Sequence, residues 1–270
     1  PEDTRQRRSL PTRYAALHAT HFPPSDVSLE LLNAFDAPAQ RRLIYEEAFL
    51  FQQGITARRR LVVAEQKPVV VTVDERVRES SRRVLPFRLT DGQRSALKEI
   101  VDDMRRPHPM NRLLQGDVGA GKTIVALIAA VVAMENGLQV AFMAPTEILT
   151  EQHYLKLKDW LEPMGVRVAW LSGSLKTAAK RQQLAATAAE AQLIVGTHAL
   201  IQEGVDFAKL GLAIVDEQHR FGVAQRLALR KKGENPHQLM MSATPIPRTL
   251  AMSYYADLDV TVLDELPPGR

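Results

Sequence analysis

The spacing of apolar residues changes twice along the chain. Residues 1–35 set four prolines (Pro1, Pro11, Pro23, Pro24) among short apolar stretches, which predicts an irregular connector with one brief helix around Ser28–Asn33. From Pro38 to about Glu65, Leu43, Ile44, Ala48, Phe51, Ile55 and Val62 recur at mixed three- and four-residue steps, the period of a helix. Asp36 is its candidate N-cap, Pro38 suits the first turn, and Gly54 is a candidate kink. A short β-branched run follows at Val69–Val73, and Ser80-Ser81-Arg82-Arg83 reads as a polar hinge before Pro86.

Beyond Asn111 the pattern alternates. Short apolar runs (Leu113–Leu114, Val140–Ala144, Val166–Leu171, Leu193–Val195, Leu212–Val215, Leu239–Met241) are separated by helical stretches such as Ile124–Glu135 and Glu147–Leu161. Buried-strand composition alternating with helices predicts an α/β fold, a mostly parallel sheet covered on both faces, preceded by a helical connector. The expected organisation is a connector over residues 1–85 and an α/β domain over 86–270. Ligands of such sheets bind at the loops after the carboxyl ends of the strands.

Composition narrows the chemistry. The 270 residues include no cysteine, which excludes disulfides, zinc–thiolate and iron–sulfur sites, and a cysteine nucleophile. The longest apolar run, Ile124–Met134, is about half of the roughly 20 residues that a membrane helix needs. The chain opens Pro1-Glu2-Asp3 without an initiator Met or an apolar leader, so it reads as a cytoplasmic segment cut from something longer. Basic residues outnumber acidic ones by 35 to 31, and 13 of the 14 basic residues before Pro86 are Arg. That balance permits nucleic acid as a partner without demanding it.

Gly116-Asp117-Val118-Gly119-Ala120-Gly121-Lys122-Thr123 fits G-x-x-x-x-G-K-[ST] between a predicted strand and a predicted helix. Its glycines would let consecutive N–H groups turn inward around a phosphate at a helix N-terminus. Lys122 would reach the β- and γ-phosphates of ATP, and the Thr123 hydroxyl would ligate Mg²⁺. A second loop supplies carboxylates, since the apolar Leu212-Ala213-Ile214-Val215 ends in Asp216-Glu217. Asp216 is placed to anchor Mg²⁺, and Glu217 to orient or deprotonate the attacking water.

Asp216-Glu217-Gln218-His219-Arg220-Phe221-Gly222-Val223 and Ser242-Ala243-Thr244-Pro245-Ile246-Pro247-Arg248-Thr249-Leu250 resemble motifs II and III of superfamily 2 DNA helicases. Within that superfamily the sequence is similar to the RecG group of bacterial ATP-dependent branched-DNA helicases. Ala144–Leu149, Leu171–Ser174, Ile194–Leu200 and Asp264–Arg270 carry the likeness further. Ser172 and Ser242 depart from the more usual Thr and keep the hydroxyl. The resemblance covers residues 86–270 and, weakly, 25–65. It implies a RecA-like first motor lobe using ATP and Mg²⁺ on forks and Holliday junctions. It also implies an OB-type wedge domain before this region and a second lobe with arginine fingers after it, so the chain alone is expected to be inactive.

The same resemblance assigns the remaining candidates. Phe87 would stack on adenine, and the Gln93 amide would pair with its edge; the alternative for Gln93 is a solvated helix N-terminus. Thr146, Gly173, Thr197 and His198 would hold DNA phosphates or cap their own loops. Ser242 and Thr244 would couple hydrolysis to movement, Arg248 would contact DNA or the opposing lobe, and His219 would sense the γ-phosphate or play a structural part. Arg58-Arg59-Arg60 and Arg82-Arg83 read as solvated faces. Two classes of function remain: an ATP-driven DNA motor, and a nucleotide-binding switch, which would need neither Glu217 nor Ser242-Ala243-Thr244.

Overall fold

A computed structural model of the chain describes residues 2–64, 66–67, 69–85, 87–171, 190–244 and 258–265. The chain divides into two units, residues 1–60 and 61–270.

The first unit is more helical than its prolines suggest. α1 (Glu2–Arg7), α2 (Arg13–His21) and α3 (Leu29–Asn33) precede α4, which starts at Pro38 and runs to Ala64. Two of these starts carry a side-chain cap: Thr12 accepts from the Ala15 N–H at 3.2 Å and Ser28 from that of Leu31 at 3.3 Å. These helices are too short for periodicity to show, so 1–35 reads as a connector in sequence although it holds three helices. Asp36 is not the cap of α4. The Ala37 N–H goes to Gln40 Oε1 at 3.3 Å, and Asp36 pairs with Arg41 instead. Helix α4 continues through Gly54.

In the second unit, the Ser80–Arg83 segment is not a hinge. It forms the last turn of α5 (Glu75–Arg83), which Asp74 caps through the Val77 N–H. The β-branched run at 69–73 is not a strand either. Asn136 serves as its partner, accepting from the Thr72 N–H at 2.9 Å and donating to the Thr72 carbonyl at 3.0 Å, while Val71 is buried.

After α6 (Asp91–Met104) the chain builds β1 (Asn111–Gly116), α7 (Lys122–Glu135), β2 (Gln139–Met143), α8 (Glu147–Leu161), β3 (Val168–Leu171), β4 (Leu193–Gly196) and β5 (Leu210–Val215). A short helix, Val223–Arg230, leads to β6 (His237–Ser242), and β7 (Asp259–Leu263) completes the sheet. Its pairings are parallel, in the order β3-β4-β2-β5-β6-β1-β7. The six predicted runs are strands; β7 is an addition. Its pattern hides it, because Val262 is exposed and Thr261 is buried.

Alternate residues of the strands feed two cores. Leu114, Val140, Phe142, Val195 and Ile214 pack on one face with α5, α6, α7 and α8, while Ala141, Met143, Ile194, Ala213 and Val215 pack on the other with Phe221 and Leu229. Every residue of α7 from Val125 to Met134 is buried, which explains the longest apolar run without a membrane. Among the described residues, no helix is long and apolar enough to cross one.

The base of β6 carries a polar knot with a pH signature. Lys67, buried, donates to the Met104 carbonyl and lies 3.1 Å from His237 Nε2. The Met110 N–H donates to His237 Nδ1 at 2.9 Å, so the ring proton sits on Nε2 and faces the lysine. That contact is favourable only with a neutral amine. Burial lowers Lys67 to about 8, and burial with the Lys67 and His108 charges lowers His237 to about 3. Folded Lys67 therefore binds fewer protons than the unfolded chain between pH 8 and its ordinary 10.5, and stability rises with pH across that window. Urea midpoints measured at about pH 7.5 and about pH 10 are expected to rise more for the wild type than for Lys67→Met. Parallel changes in the two would show that Lys67 titrates normally.

Candidate functional site

Strand order decides which loops meet. β1, β6 and β5 are neighbours, so the loops after Gly116, Ser242 and Val215 share one half of the carboxyl edge of the sheet. The loops after β2 and β4, which carry Thr146 and Thr197, emerge on the other half.

Gly119 and Gly121 hold φ of +92° and +89° in the glycine-rich loop, a region that L side chains avoid. At Gly121 a Cβ would also collide with the Gln93 amide nitrogen, and at Gly116 it would meet the Leu263 carbonyl at 2.9 Å. No side chain caps α7, so its first amides and the positive end of its dipole face the loop. Val118 stands exposed at the tip, Asp117 is exposed, and Ala120 is buried. Lys122 Nζ turns back to donate to the carbonyls of Gly116 at 2.6 Å and Asp117 at 3.0 Å. Burial lowers its pKa, and the charges of Asp216, Glu217 and Asp117 pull it back up. The loop cation and the two acids therefore share one field. Thr123 follows, half-buried, on the first turn of α7.

Asp216 and Glu217 leave β5 differently. The Asp216 N–H donates to the Met143 carbonyl at 2.8 Å and extends the β2 pairing by one residue. Glu217 lies at φ +48°, ψ +51°, a left-handed conformation that costs a non-glycine residue roughly 1–3 kcal/mol and that clusters at functional sites. Asp216 Oδ1 accepts the Glu217 N–H at 2.9 Å. His219 Nδ1 stands 3.4 Å from Glu217 Oε2, with its side chain 41% exposed.

Gln93 is neither solvated nor free. It is 2% exposed, its Oε1 accepts the Thr90 N–H at 3.1 Å, and its Nε2 donates to the Ala120 carbonyl at 2.9 Å. It thus ties the capped start of α6 to the glycine loop. Phe87 is 45% exposed. Glu265 reaches the same helix start, accepting the Gly92 N–H at 2.9 Å.

At the end of β6 the buried Ser242 hydroxyl lies 3.0 Å from Thr244 Oγ1 and accepts the Thr244 N–H at 3.3 Å. On the other half of the edge, Thr146 caps α8 through the Leu149 N–H at 3.2 Å. Thr197, buried, donates to Glu147 Oε1 at 3.2 Å, and His198 is exposed. Gly173 and Arg248 lie outside the described residues.

Two side chains join the site without having been singled out in the sequence. Gln115 Nε2 donates to the Thr244 carbonyl at 3.1 Å and so links the strand before the glycine loop to the Ser242–Thr244 turn. His153 Nε2 lies 2.9 Å from Asp216 Oδ2. A signal for the second existed: His153 follows Thr146 by seven residues, two helical turns, and so returns to the same side of α8.

The DEAD/DEAH box helicase family matches residues 90–253. The chain is similar to ATP-dependent DNA helicase RecG of Haemophilus influenzae, 49% identical over 94% of this chain and 37% of the relative. It is likewise similar to that of Aquifex aeolicus, 50% identical over 92% of this chain and 31% of the relative. A solved structure of RecG bound to a three-way DNA junction superimposes with a TM-score of 0.79 and 40% identity, covering all of this chain and 35% of that one. The chain thus spans about a third of the length of the curated relatives it matches.

Proposed function

The chain belongs to the DEAD/DEAH box helicase family, and on that premise we propose that it is the ATP-binding lobe of an ATP-dependent DNA motor. The substrates of the whole motor are branched DNAs, forks and Holliday junctions, in recombination and repair. Residues 86–270 form the lobe and 1–85 the connector to a wedge domain, with a second motor lobe elsewhere in the same cytoplasmic polypeptide. Without that second lobe the chain turns over no appreciable ATP. The observation that carries the reading is the placement of the glycine loop with Lys122 and of Asp216-Glu217 at the carboxyl ends of β1 and β5, with only β6 between them.

The chain's own groups divide the work. The amides from Gly119 to Thr123 and the start of α7 bind phosphate oxygens, and Lys122 exchanges its two loop carbonyls for the β- and γ-phosphates. Phe87 packs on the base, while Gln93 holds the loop beneath it. Glu217 orients the attacking water and takes its proton. Thr123 and Asp216, hard oxygen donors, suit Mg²⁺, which usually takes one or two protein oxygens and fills its sphere with phosphate and water. When bound, Mg²⁺ would supply positive charge that offsets the negative charge of the phosphates. His219, beside Glu217, registers the γ-phosphate. The Ser242–Thr244 turn, held to β1 by Gln115, passes the change to Arg248 and the second lobe, while Thr146, Gly173, Thr197 and His198 lie along the DNA track.

ATP turnover by the full-length polypeptide should rise at least about tenfold with a fork or four-way junction and little with linear duplex, about 1.4 kcal/mol of barrier. Turnover indifferent to DNA would favour the nucleotide switch instead.

A further inference from the structure

The acid taken as the Mg²⁺ anchor is held from both sides. Asp216 Oδ1 accepts its neighbour's N–H at 2.9 Å, and Oδ2 faces His153 Nε2, also at 2.9 Å, with both side chains 14% exposed. A carboxylate only accepts, so the imidazole must carry its proton on Nε2 and donate. The ring is itself fixed: it packs on Phe142, a fully buried residue of β2, with centroids 4.7 Å apart and planes at 48°. Its backbone sits on α8, whose start Thr146 caps and whose Thr150 hydroxyl accepts the Trp170 indole N–H at 3.2 Å.

We propose that His153 is a positioning residue for the divalent cation, fixing the rotation of the Asp216 carboxylate so that its remaining lone pairs aim at the metal. Each carboxylate oxygen has two lone pairs, and one donor on each leaves the other pair for a cation. Without His153, Oδ2 has no rigid partner and the carboxylate turns about its terminal torsion, a broad and soft one. Donors that orient a metal's ligand in this way typically alter metal affinity about 10–100-fold. This inference rests on the reading of Asp216 as a cation ligand.

The test reads the cation without turnover. Mn²⁺ is titrated into the full-length polypeptide with ADP, and free Mn²⁺ is followed by electron paramagnetic resonance. His153→Ala should weaken Mn²⁺ binding by about tenfold or more, and His153→Gln, whose amide N–H can still donate, should restore much of that loss. ADP affinity measured without any divalent cation should not change in either variant. Unchanged Mn²⁺ affinity in His153→Ala, with or without a lower melting temperature, would leave the histidine only a packing role and overturn the proposal. Asp216→Asn separates the two ideas. If it weakens Mn²⁺ while His153→Ala does not, the positioning role alone fails; if it too is silent, Asp216 is not the anchor and both fall.

Discussion

Lys122→Ala is expected to lower ATP turnover of the full-length polypeptide by about 10²–10³-fold, the usual consequence of removing one preorganised donor from developing charge. The lysine is the first residue of α7, and its ammonium donates to two loop carbonyls. The fold loses those two hydrogen bonds at a half-exposed position, of order 1 kcal/mol each, so melting should move by only a few degrees. Burial already lowers the lysine's pKa, but Asp216, Glu217 and Asp117 keep the charged form in place, ready for phosphate. Junction binding should survive, since Thr146, Thr197 and His198 belong to the loops after β2 and β4, on the other half of the edge. If the variant retains more than about a tenth of wild-type turnover, less than roughly 1.4 kcal/mol of barrier was lost and the loop does not hold the reacting phosphate.

Much of this site was readable because backbone geometry dictates its residue types. Gly119 and Gly121 must be glycine to hold positive φ, and Asp216-Glu217 stands out because charge at the end of an all-buried strand, Leu210–Val215, needs a reason. The strands were readable for a similar cause: all but β7 carry short apolar runs that only a covered sheet can bury, whereas β7 buries Thr261 and exposes Val262. What failed to show was tertiary. Gln115 and His153 are ordinary polar residues inside a regular strand and helix, and their meaning depends on β1 lying beside β6 and β2 beside β5, pairings that local patterns do not encode. Gln93 illustrates a nearer limit. Its place in a capping box was legible from Thr90 three residues earlier, but its second bond, to Ala120, spans 27 residues of chain. The helices at Glu2–Arg7 and Arg13–His21 escaped notice because six and nine residues give periodicity too little length.

Glu217→Gln should separate binding from chemistry. The substitution keeps size and one hydrogen-bonding edge but removes the group that can take a proton from water, and general-base loss typically costs about 10²–10⁴ in rate. Nucleotide affinity should stay within a fewfold of wild type, since Lys122, Thr123 and Asp216 are untouched, so the variant accumulates bound ATP. The fold should tolerate the change. Glu217 pairs only loosely with His219, at 3.4 Å, and Gln adopts the same left-handed backbone at a similar cost. The charge balance moves in the favourable direction for ground-state binding. One carboxylate fewer near the γ-phosphate lessens repulsion, and ATP should bind at least as tightly as before. Filter retention of radiolabelled ATP, beside single-turnover hydrolysis, reads both quantities on one sample. Loss of affinity equal to that of Lys122→Ala would make Glu217 a binding residue. Retained turnover would pass the role of base to another group, with His219, at 41% exposure beside it, next in reach of the water.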